Sequence, residues 1–395
     1  MMKQQKVSLG TEVLYLVYIV AFWFAHYLIS PYLTIYLKGW GMTAFTAGLI
    51  AGAYGFIQIF VRMPIGAMAD QLSKPIVMIQ FGAASLIVST LLICFGQSEI
   101  VFLLARLVAG ISAAVWVVLL SMYVKMHRER SKTESIGRAT AAQYVGILSA
   151  FVIAGLIRSK YEMRVLFLMD VFAAAICFVL GFFIKKDDSE PQKETISLGK
   201  RLRTVMKDKQ VFRGSFLFAF SQFVVFATAL SFTANYVRDV HNISDFYVSL
   251  LAALFSLSTL IASVMVDRGL GRILSDRSAT VLSFAMMLTA CICFPLVSNY
   301  ILLCIMQVLI GLAYGINCSV LNGFAVKDIG KEYQSAAIGY FQAMHCVAVT
   351  SAPIIMGKLV DVFQGYTMPY WVLAALCVTA IILTFVFFGI RKKTD

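Results

Sequence analysis

Charge is what this sequence has least of. Only 13% of its 395 residues are Asp, Glu, Lys or Arg, about half the share of an ordinary soluble domain. Hydrophobic residues make up 60%, and the mean hydropathy is +0.85. A soluble fold needs more polar cover than that, so the composition excludes one and points to an integral membrane protein. Histidine is scarce too, with four in the chain, and no His/Cys cluster or acidic run has metal-ligand spacing. Neither a metal nor a cofactor is expected. The absence of a phosphate-binding loop and of a nucleophile–base pairing argues against a membrane-embedded enzyme. The polar segments are too short for a signalling domain, which argues against a receptor. All eight cysteines fall in apolar runs and read as small core residues rather than disulfides.

What is present is a series of apolar stretches. A helix crossing ~30 Å of hydrocarbon needs about 20 residues. On that rule twelve spans are expected, at 13–37, 44–69, 75–96, 100–124, 137–157, 165–184, 212–237, 246–266, 279–297, 300–325, 336–356 and 369–390. The first is too long for a signal-peptide core and is expected to remain in the protein. Between the sixth and seventh lies a polar run with nine Lys/Arg and five Asp/Glu over 185–213. Such a run belongs in water. The chain therefore divides into a six-helix bundle at 1–184, a cytoplasmic linker at 185–211 and a second six-helix bundle at 212–395.

The net charge of +13 does not point to nucleic acid, because the basic residues sit in short loops beside the spans. With the N-terminus inside, inner segments hold 25 Lys/Arg and outer loops 6; Arg62 and Arg106 lie within spans. That asymmetry puts both termini in the cytoplasm of a cell membrane. A weak repeat of 201 residues relates Thr43-Ala44-Phe45 to Ser244-Asp245-Phe246, and Arg106 to Gly110 with Gln307 to Gly311. Two duplicated six-helix halves with a midplane site form a known transporter architecture.

Polar side chains within spans repeat at helical spacing and are expected to face inward. In span 1 they are Trp23, His26, Tyr27, Ser30 and Thr34; in span 7, Ser221, Thr228, Ser231 and Asn235. Span 10 has Gln307, Tyr314 and Asn317, and span 11 has Gln342 and His345. About half are expected simply to hydrogen-bond between helices. Arg106 is expected at mid-depth, facing a partner or a wet cavity; Arg62 either does the same or snorkels. Asp170, His26 and His345 are the candidate proton carriers, although an ion pair with Arg164 is as good a reading of Asp170.

Gly66-Ala67-Met68-Ala69-Asp70-Gln71-Leu72-Ser73-Lys74, after span 2, resembles the signature loop of the major facilitator superfamily, G-x-L-A-D-R-x-G-R. Gly66, Ala69, Asp70 and Lys74 match; Gln71 and Ser73 depart. Arg106-Leu-Val-Ala-Gly110-Ile-Ser-Ala113-Ala114 is similar to that family's span-4 pattern, and the resemblance covers the whole chain. It implies an all-α fold of two pseudo-symmetric bundles, a cavity lined by spans 1, 4, 7 and 10 with help from 5, 8 and 11, and a gating latch at Gly66, Asp70 and Lys74. The expected partners are a small-molecule substrate, protons and the lipid bilayer, with the chain a monomer. The expected function is ion-coupled transport of a small organic solute by alternating access, import or export. A multidrug efflux pump of the same fold is the alternative, although span 5 lacks the Gly-Pro pair of the family's antiporter motif.

Overall fold

In the computed structural model the described residues are 9–71, 75–126, 132–184, 198–266, 273–330 and 333–389, and no strand occurs among them. They contain twelve helices long and apolar enough to cross a membrane: Leu9–Gly39, Ala44–Arg62, Ile76–Phe95, Glu99–Leu120, Gly137–Arg158, Met163–Gly181, Lys209–His241, Asp245–Met265, Asp276–Leu296, Tyr300–Val326, Ala336–Phe363 and Thr367–Gly389. These are spans 1 to 12, and each expected span falls on one of them. Large apolar side chains stand on the outside, Phe81, Phe95, Phe172 and Phe182 each 58–68% exposed. A surface of that kind suits lipid and would aggregate in water.

Two spans are not straight helices. Span 1 breaks into a 3-10 turn at Ser30–Tyr32, where Pro31 has no N–H to continue the ladder. Span 7 widens into a π turn over Thr228–Phe232, where the Thr228 hydroxyl takes the Val224 carbonyl at 2.7 Å. Ser30 and Ser231 are 201 residues apart, so the breaks sit at matching places in the repeat. Packing follows the same offset. A Cβ on Gly110 of span 4 would lie 2.4 Å from the Tyr54 carbonyl of span 2, and one on Gly311 of span 10 would lie 2.4 Å from the Phe255 carbonyl of span 8. Both glycines and both carbonyls are 201 residues apart.

The halves meet along span 2 against span 11 and span 5 against span 8. Gly48 and Gly52 bring span 2 so close that a Cβ would fall 2.1 Å from the Pro353 carbonyl and 2.5 Å from that of Thr350. The second part of the linker forms a short helix, Leu198–Lys207, whose Val205 is buried with Val211 and Ala337. The linker is thus docked where it joins span 7, through one apolar contact that its overall polarity conceals.

Candidate functional site

A cavity lies where the breaks in spans 1 and 7 face each other. His26, Tyr27, Ser30 and Thr34 line it from span 1, Tyr54 from span 2, and Arg106 from span 4. Leu33 of span 1 and Ala51 of span 2 add to it, and Phe226, Leu230 and Ser231 of span 7 with Pro353 of span 11 complete the wall, so both halves contribute. Its volume is about 30 Å³, room for roughly one water. A solute therefore enters only if the halves separate.

Arg106 is the charge in this wall. Its guanidinium lies 4.5 Å from the centre of the Tyr54 ring, a cation–π contact. Its Nε has no hydrogen-bond partner, and among the described residues no carboxylate bonds to it. Nearby, His26 Nε2 lies 3.1 Å from Ser112 Oγ, and the ring meets Phe22 edge-on. Trp23 sits behind, against Trp116 and Tyr27, buried and away from the opening. The stripe of span 1 is thus split between cavity and core.

The other expected residues lie elsewhere. Arg62 donates to Gln342 Oε1 at 2.6 Å, joining spans 2 and 11. Asn235 donates to Thr34 Oγ1 at 2.7 Å, joining spans 7 and 1. His345 stacks on Phe218, which also stacks on Tyr314. Gln307 and Asn317 are fully buried inside the second half, and all four of their amide atoms lack partners. Asp170 is 1% exposed and accepts from Thr90 Oγ1 at 2.8 Å, while its Oδ1 has no partner. The ion pair with Arg164, the other reading of Asp170, does not occur among the described residues; Thr90 of span 3 takes that place. Of the expected latch, Gly66 and Asp70 lie in a described helix whose side chains there are not described, and Lys74 is outside the described residues. Tyr54, Phe226, Leu230 and Pro353 escaped the sequence reading, because nothing local distinguishes a cavity wall from core.

Above the cavity, at the face opposite the termini, the halves are stitched together. Thr34 donates to the Ser231 carbonyl at 2.9 Å, and Lys38 Nζ meets Asp239 Oδ2 at 2.5 Å. Thr34 with Asn235 and Lys38 with Asp239 are each pairs 201 residues apart. Repeat-equivalent residues can meet only beside the axis that relates the repeats. Tyr366 also donates to Asp239, at 2.6 Å. Burial, then that bond and the Asp239 charge, push the Tyr366 hydroxyl above its ordinary value, so it stays a donor. Tyr32 donates to the Asp245 carbonyl at 2.5 Å, Arg158 Nη2 lies 2.6 Å from Asp245 Oδ2, and Asp361 receives the Ala44 and Phe45 N–H groups at 3.1 and 2.7 Å. The 201-residue offset shared by Lys38–Asp239 and Thr34–Asn235 is the trace of this seal in the sequence.

Comparisons with known proteins agree with this geometry. Residues 14–348 and 214–395 match the sequence profile of the Major Facilitator Superfamily. An uncharacterized MFS-type transporter of Methanocaldococcus jannaschii is 22% identical over 85% of this chain and 87% of its own. Monocarboxylate transporter 1 of Bos taurus is 30% identical over 51% of this chain and 42% of its own, so the match spans less than half of that relative. Multidrug resistance protein MdtG of Serratia proteamaculans is 22% identical over 91% and 87%. Among solved structures, a bacterial homologue of the human lysosomal transporter Spinster, inward-facing and occupied, superposes with a TM-score of 0.77 at 14% identity, covering 97% of both chains. The nucleoside transporter NupG superposes with a TM-score of 0.74 at 13% identity, over 97% of this chain and all of its own. With the family profile matched from end to end and the halves arranged about a shared cavity, this chain belongs to the major facilitator superfamily and is a multi-pass membrane transporter.

Proposed function

We propose that the protein is a secondary active transporter of small organic anions, coupled to protons, working by alternating access. The observation that carries the reading is Arg106, a cation in the cavity wall with a tyrosine face beneath it and no carboxylate bonded to it. A buried cation with no carboxylate bonded to it is costly at membrane depth, and a bound anion would relieve that cost. The solute's carboxylate meets Arg106, while its apolar part meets Tyr54, Phe226 and Leu230. A cationic drug would meet repulsion in the same place, which counts against the multidrug alternative. The monocarboxylate transporter among the relatives supports an anionic solute. A relative described as a proton-coupled antiporter flippase, from Staphylococcus haemolyticus, supports proton coupling.

Asp170 is the proton carrier in this reading. Thr90 holds one oxygen, and the other is buried with no partner, the position that would take the proton. The closed state described above alternates with one in which the Lys38, Asp245 and Asp361 contacts part, so the cavity opens to the other side. The surplus of Lys/Arg in the segments on the terminal face supports placing the termini in the cytoplasm. Counterflow into proteoliposomes, with radiolabelled monocarboxylates, neutral nucleosides and cationic amphiphiles, tests the reading. Exchange of an organic anion, accelerated by a pH gradient, is expected. Exchange restricted to the cations would overturn it.

A further inference from the structure

A second hollow, of about 440 Å³, opens on the face opposite the termini, away from the central cavity. Arg158 and Ser159, at the end of span 5, form one side. Arg238, Asn242, Ser244 and the start of span 8 at Asp245 and Phe246 form the other. It therefore straddles the two halves.

The charges in it do not balance. Two guanidiniums face one carboxylate: Arg158 Nη2 lies 2.6 Å from Asp245 Oδ2, and Arg238 Nη1 lies 3.3 Å from Asp245 Oδ1. Arg158 Nη1 is taken by the Tyr161 carbonyl at 2.8 Å. The remaining donors of Arg238, a side chain 45% exposed, have no protein acceptor among the described residues.

The internal repeat shows what is missing. Ala44 and Phe45, at the start of span 2, correspond at an offset of 201 to Asp245 and Phe246 at the start of span 8. At span 2 the Asp361 carboxylate, from the other half, receives both N–H groups at 3.1 and 2.7 Å. The same offset from Asp361 gives Lys160, which cannot accept, and Ser244 makes no side-chain cap bond. Where one half has a carboxylate, the other has a hollow flanked by two arginines.

We infer that this hollow binds a small oxyanion, of carboxylate or phosphate type, held between Arg238 and the first N–H groups of span 8 with Arg158 facing it from the other half. Charge-assisted bonds from guanidinium and helix N-terminal N–H groups suit such a ligand. Because the Arg158 charge belongs to the first half and Arg238 and span 8 to the second, the ligand binds the state in which this face is closed and raises its population. It acts as a brake set from that side, separate from the central site.

The test is thermal unfolding of the full chain in phosphatidylcholine nanodiscs, with sodium phosphate, which is not a carboxylate solute of the central site, against sodium chloride of equal ionic strength. A rise in Tm of roughly 1–2 °C is expected at a tenfold excess over Kd. It should vanish in Arg238→Gln and persist in Arg106→Ala, whose change lies in the central cavity. Ser244→Asp, which ties a carboxylate to the same N–H groups, should raise Tm without added oxyanion and cancel the response, a check that does not depend on Arg238→Gln folding. In nanodiscs with phosphatidylglycerol, a response already saturated without added salt assigns the site to a lipid headgroup; a response to dissolved phosphate alone assigns it to a soluble anion. No shift beyond chloride, or a shift that survives Arg238→Gln or disappears only in Arg106→Ala, would overturn the inference.

Discussion

The two halves share a packing plan and differ in what they bury. The first half keeps ions inside: Arg106 over Tyr54, Asp170 on Thr90, and Glu12 with Tyr123 and Arg138 at 3.1 and 3.4 Å. At the repeat-equivalent of Arg106 the second half has Gln307, and under it Phe255 in place of Tyr54. Among the described residues its other buried polar groups are neutral as well, including Gln222, Ser256 and Asn317. Duplication preserved the backbone contacts, since Gly110 and Gly311 each press on the equivalent carbonyl, while the charges were left to one side. In the proposed reading the first half supplies the charged groups of the site, while the second half, packed on it along spans 8 and 11, completes the cavity wall from spans 7 and 11.

Transplanting the charge should break that division most severely. Gln307→Arg puts a guanidinium into a fully buried position where the native amide already lacks partners, an expected cost of several kcal/mol. Loss of the monodisperse peak in detergent chromatography would report it; normal yield and a normal peak would show the second half tolerating a charge. Asp170→Asn keeps the Thr90 bond and removes the ionisable oxygen. Equilibrium exchange should continue while accumulation driven by a pH gradient stops, and a variant that still accumulates solute would move the proton site elsewhere. Gln307→Leu removes two unsatisfied amide atoms. Thermal unfolding should place it between neutral and about 1 kcal/mol more stable, where a marked loss would mean the amide has an unseen partner. Lys38→Ala should change least. Its bridge to Asp239 is 29% and 39% exposed, so about 1 kcal/mol or less is at stake, visible as a small increase in cysteine labelling at the face opposite the termini.

The spans were readable because hydrocarbon imposes length and apolarity on each segment separately. The stripe His26, Tyr27, Ser30 and Thr34 was readable for a similar reason: helical spacing puts those residues on one face, and that face meets the cavity. Gln307 and Asn317 obey the same spacing and lie in the second half's interior instead. Spacing fixes which residues share a face but not which neighbour the face turns to. Arg62 and Gln342 were each picked out as polar, yet nothing in either span indicates that they bond to each other. The seal from Tyr32, Asp245 and Asp361 joins residues hundreds of positions apart, and only the docking of the halves brings them together.

Counterflow of an organic anion by Arg106→Ala and Arg106→Lys, beside wild type, tests the central claim most directly. A lost charge-assisted contact of ~1.5–3 kcal/mol corresponds to roughly a 10- to 100-fold weaker apparent affinity. The account predicts that loss in Arg106→Ala, with partial recovery in Arg106→Lys and both proteins folded. Wild-type affinity for the anion in a folded Arg106→Ala would contradict it.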